Sequence, residues 1–161
     1  MKADYIKPFI KSAIYILKAA TGLKARKKRV YFNKGKMSLG GTGIILGIHG
    51  DIRGTVAYEF SRDMTIQLAS RMNKKSQIVQ HDREAFLRLL KSTVGELGNL
   101  ISGRAITALM ENGYDCKITP PEVYTGQGVP LIHSTKQTFV IELQSELGDF
   151  YINLAISHIR P

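Results

Sequence analysis

One long helical segment constrains the fold of this chain more than any other part of its sequence. Asp82 is a suitable N-cap and Gly113 a suitable C-terminal stop, and no proline lies between them. We therefore predict a helix from Arg83 to Asn112. A helix this long, in a chain of 161 residues, must bury an apolar side along much of its length.

Helical spacing divides this segment into two sides. The apolar side, which we expect to bury against a sheet, contains Phe86, Leu89, Leu90, Leu97, Leu100, Ile101 and Ala108. The opposite side contains Arg88, Ser92, Gly95, Glu96, Asn99, Ser102 and Gly103. Glycine inside a helix costs about 1 kcal/mol relative to alanine, a cost accepted where a backbone or another molecule approaches closely. We therefore interpret the Gly/Ser-rich side as a docking face, with Ser92, Gly95 and Gly103 as candidate contact residues.

Two polar side chains project from the predicted docking face. Glu96 and Asn99 are three residues apart, so they lie next to each other on the helix. They could be ordinary solvated residues, but the flanking small residues favour a functional pair. An amide can orient a water by donating and accepting hydrogen bonds, and a carboxylate can pair with a cation of a partner. Such a pair suits the completion of a phosphate site on another protein.

The remaining sequence predicts an α+β fold. We expect helices at 4–20 and 62–72, the second capped by Ser61, and a loop at 73–80. We expect strands at 26–33, 42–49, 54–60, 116–118, 123–125, 138–143 and 150–157. Residues 126–134 are predicted as a loop, and the glycine-rich 40–43 as a flexible turn, since no Lys-Ser/Thr follows to make a phosphate-binding loop.

The order of these elements repeats. A helix, two strands, a Gly-Asp turn and a further strand occur before residue 61 and again after residue 82, with Gly50-Asp51 and Gly148-Asp149 in matching places. We therefore predict a single domain over residues 1–161. It would be a pseudo-symmetric α/β sandwich, with one mostly antiparallel sheet covered by two long helices.

Composition narrows the classes of function. No apolar run is long enough to span a bilayer, and the charged residues in the N-terminal segment do not indicate a signal peptide, so we expect a soluble cytoplasmic protein. The single cysteine, Cys116, is expected to be buried or half-buried, and the scattered histidines give no metal-ligand spacing. The net charge is +10, and much of the positive charge lies in a basic cluster at residues 24–36. The cluster consists of Lys24, Arg26, Lys27, Lys28, Arg29, Lys34 and Lys36. This cluster is compatible with binding to nucleic acid, to anionic lipid or to an acidic protein surface, and equally with a merely solvated strand.

At the predicted docking face the sequence resembles the CheC/CheX/FliY family of response-regulator phosphatases. The family signature is Glu-x-x-Asn followed four residues later by Gly, which Glu96, Asn99 and Gly103 match. Pro8-Phe9, Ile118-Thr119-Pro120-Pro121 with Gly126, and the Gly50-Asp51 hairpin with Gly54-Thr55-Val56 also fit. The first helix carries no second Glu-x-x-Asn motif, so the chain is closer to the single-motif CheX type.

The resemblance implies a homodimer that dephosphorylates a CheY-like receiver domain. Asn99 would orient water toward the aspartyl phosphate, and Glu96 would pair with the receiver's lysine. Mg²⁺ would be supplied by the receiver, so no metal site or cofactor of the chain's own is expected. Two alternatives stay open: a non-catalytic receiver-binding module, and a nucleic-acid-binding protein that uses the basic cluster at residues 24–36.

Overall fold

A computed structural model describes residues 2–33, 37–73, 82–131 and 138–161. The helices are α1 (Lys2–Thr21), α2 (Arg62–Met72) and α3 (Arg83–Glu111). The strands are β1 (Ala25–Asn33), β2 (Met37–Gly50), β3 (Ile52–Phe60), β4 (Cys116–Ile118), β5 (Glu122–Leu131), β6 (Thr138–Ser145) and β7 (Gly148–Ile159). The predicted helices and their order are confirmed, and the Ser61 and Asp82 side chains cap α2 and α3.

The strands form one antiparallel sheet whose order confirms the predicted pseudo-symmetry. The order is β1-β6-β7-β3-β2-β4, and β5 also pairs with β2. If β1 is exchanged with β4, β2 with β6 and β3 with β7, the same order is obtained in reverse. The local twofold axis therefore runs between β3 and β7, which pair antiparallel, and each half of the chain places its first strand beside the other half.

The core lies between the sheet and the helices. On α1, Phe9, Ala13 and Leu17 recur at helical spacing along one side, and each is at most 1% exposed. These residues belong to the same apolar cluster as the inward side chains of α3 and of β2, β3, β6 and β7. Burial of this side explains the amphipathic pattern of α1 as core packing. Cys116 is buried, as predicted.

Two segments predicted as irregular are strand. Residues 40–43 belong to β2, and residues 126–131 belong to β5, which pairs with β2 from Met37–Leu131 to Ile45–Glu122. The predictions of a flexible turn and of a loop starting at residue 126 are therefore wrong. Glycine and proline lower the local strand signal, but pairing with a distant strand supplies the hydrogen bonds that stabilise both segments. Residues 132–134 and 74–80 of the predicted loops lie outside the described residues.

The described members of the basic cluster lie on and beside β1, an exposed strand at one edge of the sheet. Arg29 forms a hydrogen-bonded ion pair with Glu142 of β6, and Lys28 contacts Glu142 and Asp149 at 3.4 and 3.0 Å. Arg26 donates hydrogen bonds to the Gln144 side chain. These contacts favour a solvated, internally paired strand. Lys34 and Lys36 lie outside the described residues.

Glu142 makes the stability of the sheet edge depend on pH. The hydrogen bond from Arg29 lowers the pKa of Glu142 below its ordinary value of 4.5, although burial opposes this shift. A carboxylate with a lowered pKa stabilises the fold above its unfolded pKa and loses that contribution as the pH falls through the folded pKa. We expect Glu142→Gln to unfold at a lower midpoint urea concentration than wild type at about pH 7, and this difference in midpoint to shrink at about pH 3.5. A difference in midpoint that is equal at both pH values would contradict this prediction.

Candidate functional site

Helix α3 is held firmly against the rest of the domain. At its N-terminus the Asp82 side chain accepts a hydrogen bond of 3.1 Å from the Ala85 amide. One turn before Leu97, the Thr93 hydroxyl accepts a hydrogen bond of 2.7 Å from Asn73 at the end of α2. Leu97 and Ile101 are fully buried. The helix is therefore a rigid support for the side chains on its outer surface.

Small residues let α3 approach the sheet closely. A methyl group on Gly98 would lie 2.5 Å from Cγ2 of Ile44, and one on Gly95 would lie 3.3 Å from Cγ2 of Val123. Further along, the buried Ser102 hydroxyl is 2.7 Å from the hydroxyl of Tyr58. Burial raises the pKa of Tyr58, so this phenol stays protonated in the hydrogen bond.

The docking face predicted from sequence is therefore wrong in two members. Gly95 and Ser102 point inward, and the low helix propensity of Gly95 and Gly98 is compensated by close packing against the sheet. The helical wheel could not show this, because glycine has no side chain whose polarity would identify its side. Gly103 differs from the other two helix glycines, since a methyl group there would meet no atom within 4 Å.

The other candidate residues do come together on the outer surface. Ser92, Glu96 and Asn99 are exposed and Gly103 is half-exposed. At 100° per residue, these four positions fall within a sector of about 60°. We call them the outer stripe of α3. Glu96 and Asn99 lie at its centre, with a small residue one turn away on either side.

Next to the outer stripe is a surface that the sequence did not predict. Leu100, expected in the core, is 38% exposed, because Leu97 and Ile101 already fill the inward side. The Arg104 guanidinium lies over the ring of Tyr15 on α1, with Cζ 3.6 Å from the ring centroid. Tyr15 is 53% exposed. On the helical wheel Arg104 falls between Leu97 and Leu100, on the side expected to be buried. The stacking contact with Tyr15 explains how its charged group reaches the surface.

The outer stripe presents an amide and a carboxylate that are available to a second molecule. Within the ranges that the structure describes, no side chain hydrogen-bonds or ion-pairs with Glu96 or Asn99. The lone thiol is unsuited to nucleophilic chemistry, because Cys116 is buried and burial raises its pKa. The described part of the chain also contains no cluster of three His, Cys, Asp or Glu residues that could hold a metal ion.

None of the helices that the structure describes combines the length and apolar character needed to span a bilayer.

Comparison with known families identifies a match that contains the outer stripe. The family described as chemotaxis phosphatase CheX matches residues 42–144. Among curated proteins, the CheY-P phosphatase CheX of Thermotoga maritima is 32% identical over 87 residues. That match covers 54% of this chain and 53% of the relative, so the chain spans about half the length of the curated relative it matches.

Solved structures show the same fold over nearly the whole chain. A chemotaxis protein CheX from Desulfovibrio desulfuricans superposes with a TM-score of 0.83 at 25% identity, covering 95% of this chain and 99% of that one. The CheX chain of a CheX-CheY-BeF3-Mg²⁺ complex from Borrelia burgdorferi gives a TM-score of 0.76 at 23% identity, covering 98% and 99%. The predicted α+β sandwich is therefore confirmed by its likeness to these structures.

Proposed function

Because this chain belongs to the family of the chemotaxis phosphatase CheX, we propose that it removes the phosphoryl group from the aspartyl phosphate of a CheY-like receiver domain. The observation that carries this proposal is the outer stripe, on which an exposed amide and an exposed carboxylate stand side by side on a rigid helix. The stripe lies inside the family match. The T. maritima relative is a CheY-P phosphatase, and the B. burgdorferi protein is in complex with CheY, which supports a receiver as the substrate.

The proposed reaction is hydrolysis of an acyl phosphate. Water attacks phosphorus, the bond between phosphorus and the aspartyl oxygen breaks, the aspartate leaves as a carboxylate, and inorganic phosphate is released. The Asn99 amide orients the water, accepting its hydrogen bond with the carbonyl oxygen or donating one from nitrogen. Glu96 pairs with the receiver's active-site lysine and so fixes the register of the two proteins. Mg²⁺ comes with the receiver, on whose carboxylates it is bound.

We also propose that the protein acts as a homodimer with one outer stripe per subunit, as the CheX type implies. The mass of the protein in solution, measured by light scattering, tests this assembly independently of catalysis.

Phosphate release from a phosphorylated receiver tests the proposed activity. A panel of CheY-like receivers is phosphorylated in the presence of Mg²⁺, and loss of phosphate is followed with and without this protein. Acceleration of at least one receiver is expected. Stable binding without acceleration would instead select the non-catalytic receiver-binding module. Binding to nucleic acid at low salt that weakens steeply as salt rises would favour use of the basic cluster.

Glu96→Gln should weaken the productive complex. The substitution keeps the size of the side chain but removes the charge proposed to meet the receiver's lysine. Loss of one member of a buried charge pair costs about 2 kcal/mol or more, on the order of 30-fold in kcat/KM. Thermal unfolding should be unchanged, because the Glu96 side chain is exposed and makes no contact within the described structure that would stabilise the fold.

Glu84→Gln is the matched control for Glu96→Gln. Glu84 is on the same helix, about 18 Å toward its N-terminus, and within the described residues it forms one weak ion pair, with Arg88 at 3.9 Å. Its substitution makes the same change of charge away from the outer stripe. Equal losses of kcat/KM in the two variants would mean that net charge, and not a specific contact of Glu96, governs the encounter.

A further inference from the structure

An exposed patch that the proposed chemistry does not use lies beside the outer stripe. It consists of Leu100, Arg104 and Tyr15, which we call the α1/α3 patch. Leu100 and Arg104 are one turn apart on α3, and Leu100 directly follows Asn99 in sequence. Leu100 and Tyr15 are two of the large apolar side chains that remain exposed in the described structure. An aliphatic and an aromatic side chain with a cation between them are typical of protein-binding surfaces.

The stacking contact gives the patch a fixed geometry. Arg104 lies over Tyr15 at 3.6 Å, and within the ranges that the structure describes no carboxylate forms an ion pair with it. A guanidinium stacked on an aromatic ring keeps its edge N–H groups directed outward and available to oxygen acceptors. Because the side chain is already ordered, less conformational entropy is lost when those N–H groups bind.

The packing of α1 against α3 places the α1/α3 patch next to the proposed active face. Tyr15 of α1 meets Arg104 of α3. Ten residues earlier, Tyr5 lies close to Tyr114, just after α3, and burial together with this neighbour raises the pKa of Tyr5. The helices therefore run antiparallel. A molecule seated over Asn99 would also cover the Leu100 side of α3 and reach α1.

We propose that the α1/α3 patch is a docking surface for the same receiver domain, with Arg104 binding acidic groups near its phosphorylated aspartate and Tyr15 holding Arg104 in place. This inference rests on the proposed function for the identity of the partner. Charge complementarity argues for it: a site that carries a phosphoryl group and the carboxylates that hold Mg²⁺ is acidic, and Arg104 is a preordered cation about one and a half turns along α3 from Asn99. The patch then contributes affinity, while Asn99 contributes chemistry.

Binding and turnover, measured separately, test this inference. Affinity is measured by titration with a CheY-like receiver loaded with beryllofluoride and Mg²⁺, and turnover by phosphate release from the same receiver. Arg104→Glu should raise Kd and KM about tenfold or more and change kcat less than about twofold. Tyr15→Ala should raise Kd in the same direction, whereas Tyr15→Phe, which keeps the ring, should bind as wild type does.

Arg26→Glu is the matched control, because it makes the same reversal of charge on β1, where the Arg26 side chain donates hydrogen bonds to Gln144. Equal effects of Arg26→Glu and Arg104→Glu would overturn the inference in favour of general charge attraction. It would also be overturned if Arg104→Glu left Kd unchanged, or if it abolished self-association instead of receiver binding. Receiver binding that depends on Arg104 without any phosphate release would support the patch and remove the proposed catalysis.

Discussion

Asn99→Ala is expected to slow phosphate release from the receiver more than any other single substitution on the surface of this protein. Loss of one positioned catalytic amide costs about 2–4 kcal/mol of barrier, roughly 30- to 1,000-fold in kcat. The amide is proposed to act on water during attack on phosphorus, and not to hold the receiver. Kd for a beryllofluoride-loaded receiver should therefore change little, and the loss should be found in single-turnover rates at saturating protein.

Stability should respond to Asn99→Ala in the opposite direction from activity. Asn99 is exposed and has no hydrogen-bond partner within the described structure, while alanine is the better helix former by up to about 0.7 kcal/mol. The variant should unfold at the same temperature as wild type or slightly higher. A catalytic loss with no loss of stability would assign the effect to the missing amide.

Two further variants sharpen this prediction. Asn99→Asp keeps the size of the side chain but removes the N–H donors and adds a negative charge near the phosphoryl group, so it should be at least as slow as Asn99→Ala. Asn112→Ala removes an exposed amide from the C-terminal end of α3, where Asn112 caps the helix through its backbone N–H. Its activity should equal that of wild type. An Asn99→Ala protein that retains full kcat would remove Asn99 from the mechanism.

The sequence predicted the elements of this fold because their signals are local. The Ser61 and Asp82 caps and the 3.6-residue apolar period of α1 are each read within one segment, and the structure has helices at those places. The strand at residues 126–131 was missed because its stabilisation is not local. Glycine and proline there indicate a loop, and only pairing with β2 makes the segment a strand.

The candidate site was predictable in its polar members and not in its surroundings. Glu96 and Asn99 share an outer surface because residues three apart on a helix always do. The side to which Gly95 faces depends on how closely α3 approaches β5, a distance that no helical wheel contains. The exposure of Leu100 and the contact between Arg104 and Tyr15 likewise depend on the packing of α1 against α3.

Gly98→Val is expected to be the most destabilising substitution on α3 among those considered. A first carbon at this position already falls 2.5 Å from Cγ2 and 3.3 Å from Cβ of Ile44. Because Ile44 is β-branched and fully buried in the sheet, it cannot turn away without moving its neighbours. Overpacking of this kind costs about 2–3 kcal/mol, which lowers Tm by roughly 5–10 °C in a domain of this size.

Gly103→Val distinguishes a glycine that leaves room for a partner from one, such as Gly98, that lets α3 pack against the sheet. A Cβ added at residue 103 meets no atom within 4 Å among the described residues, so thermal stability should stay within about 0.5 kcal/mol of wild type. On the outer stripe, however, the added bulk stands one turn from Asn99, where the receiver is proposed to approach. Gly103→Val should therefore fold normally and bind the receiver weakly, whereas the main effect of Gly98→Val should be a loss of stability.

If Gly103→Val bound the receiver as tightly as wild type, the partner would not contact this end of the stripe. If Gly98→Val were fully stable, α3 would lie farther from β2 than the structure places it.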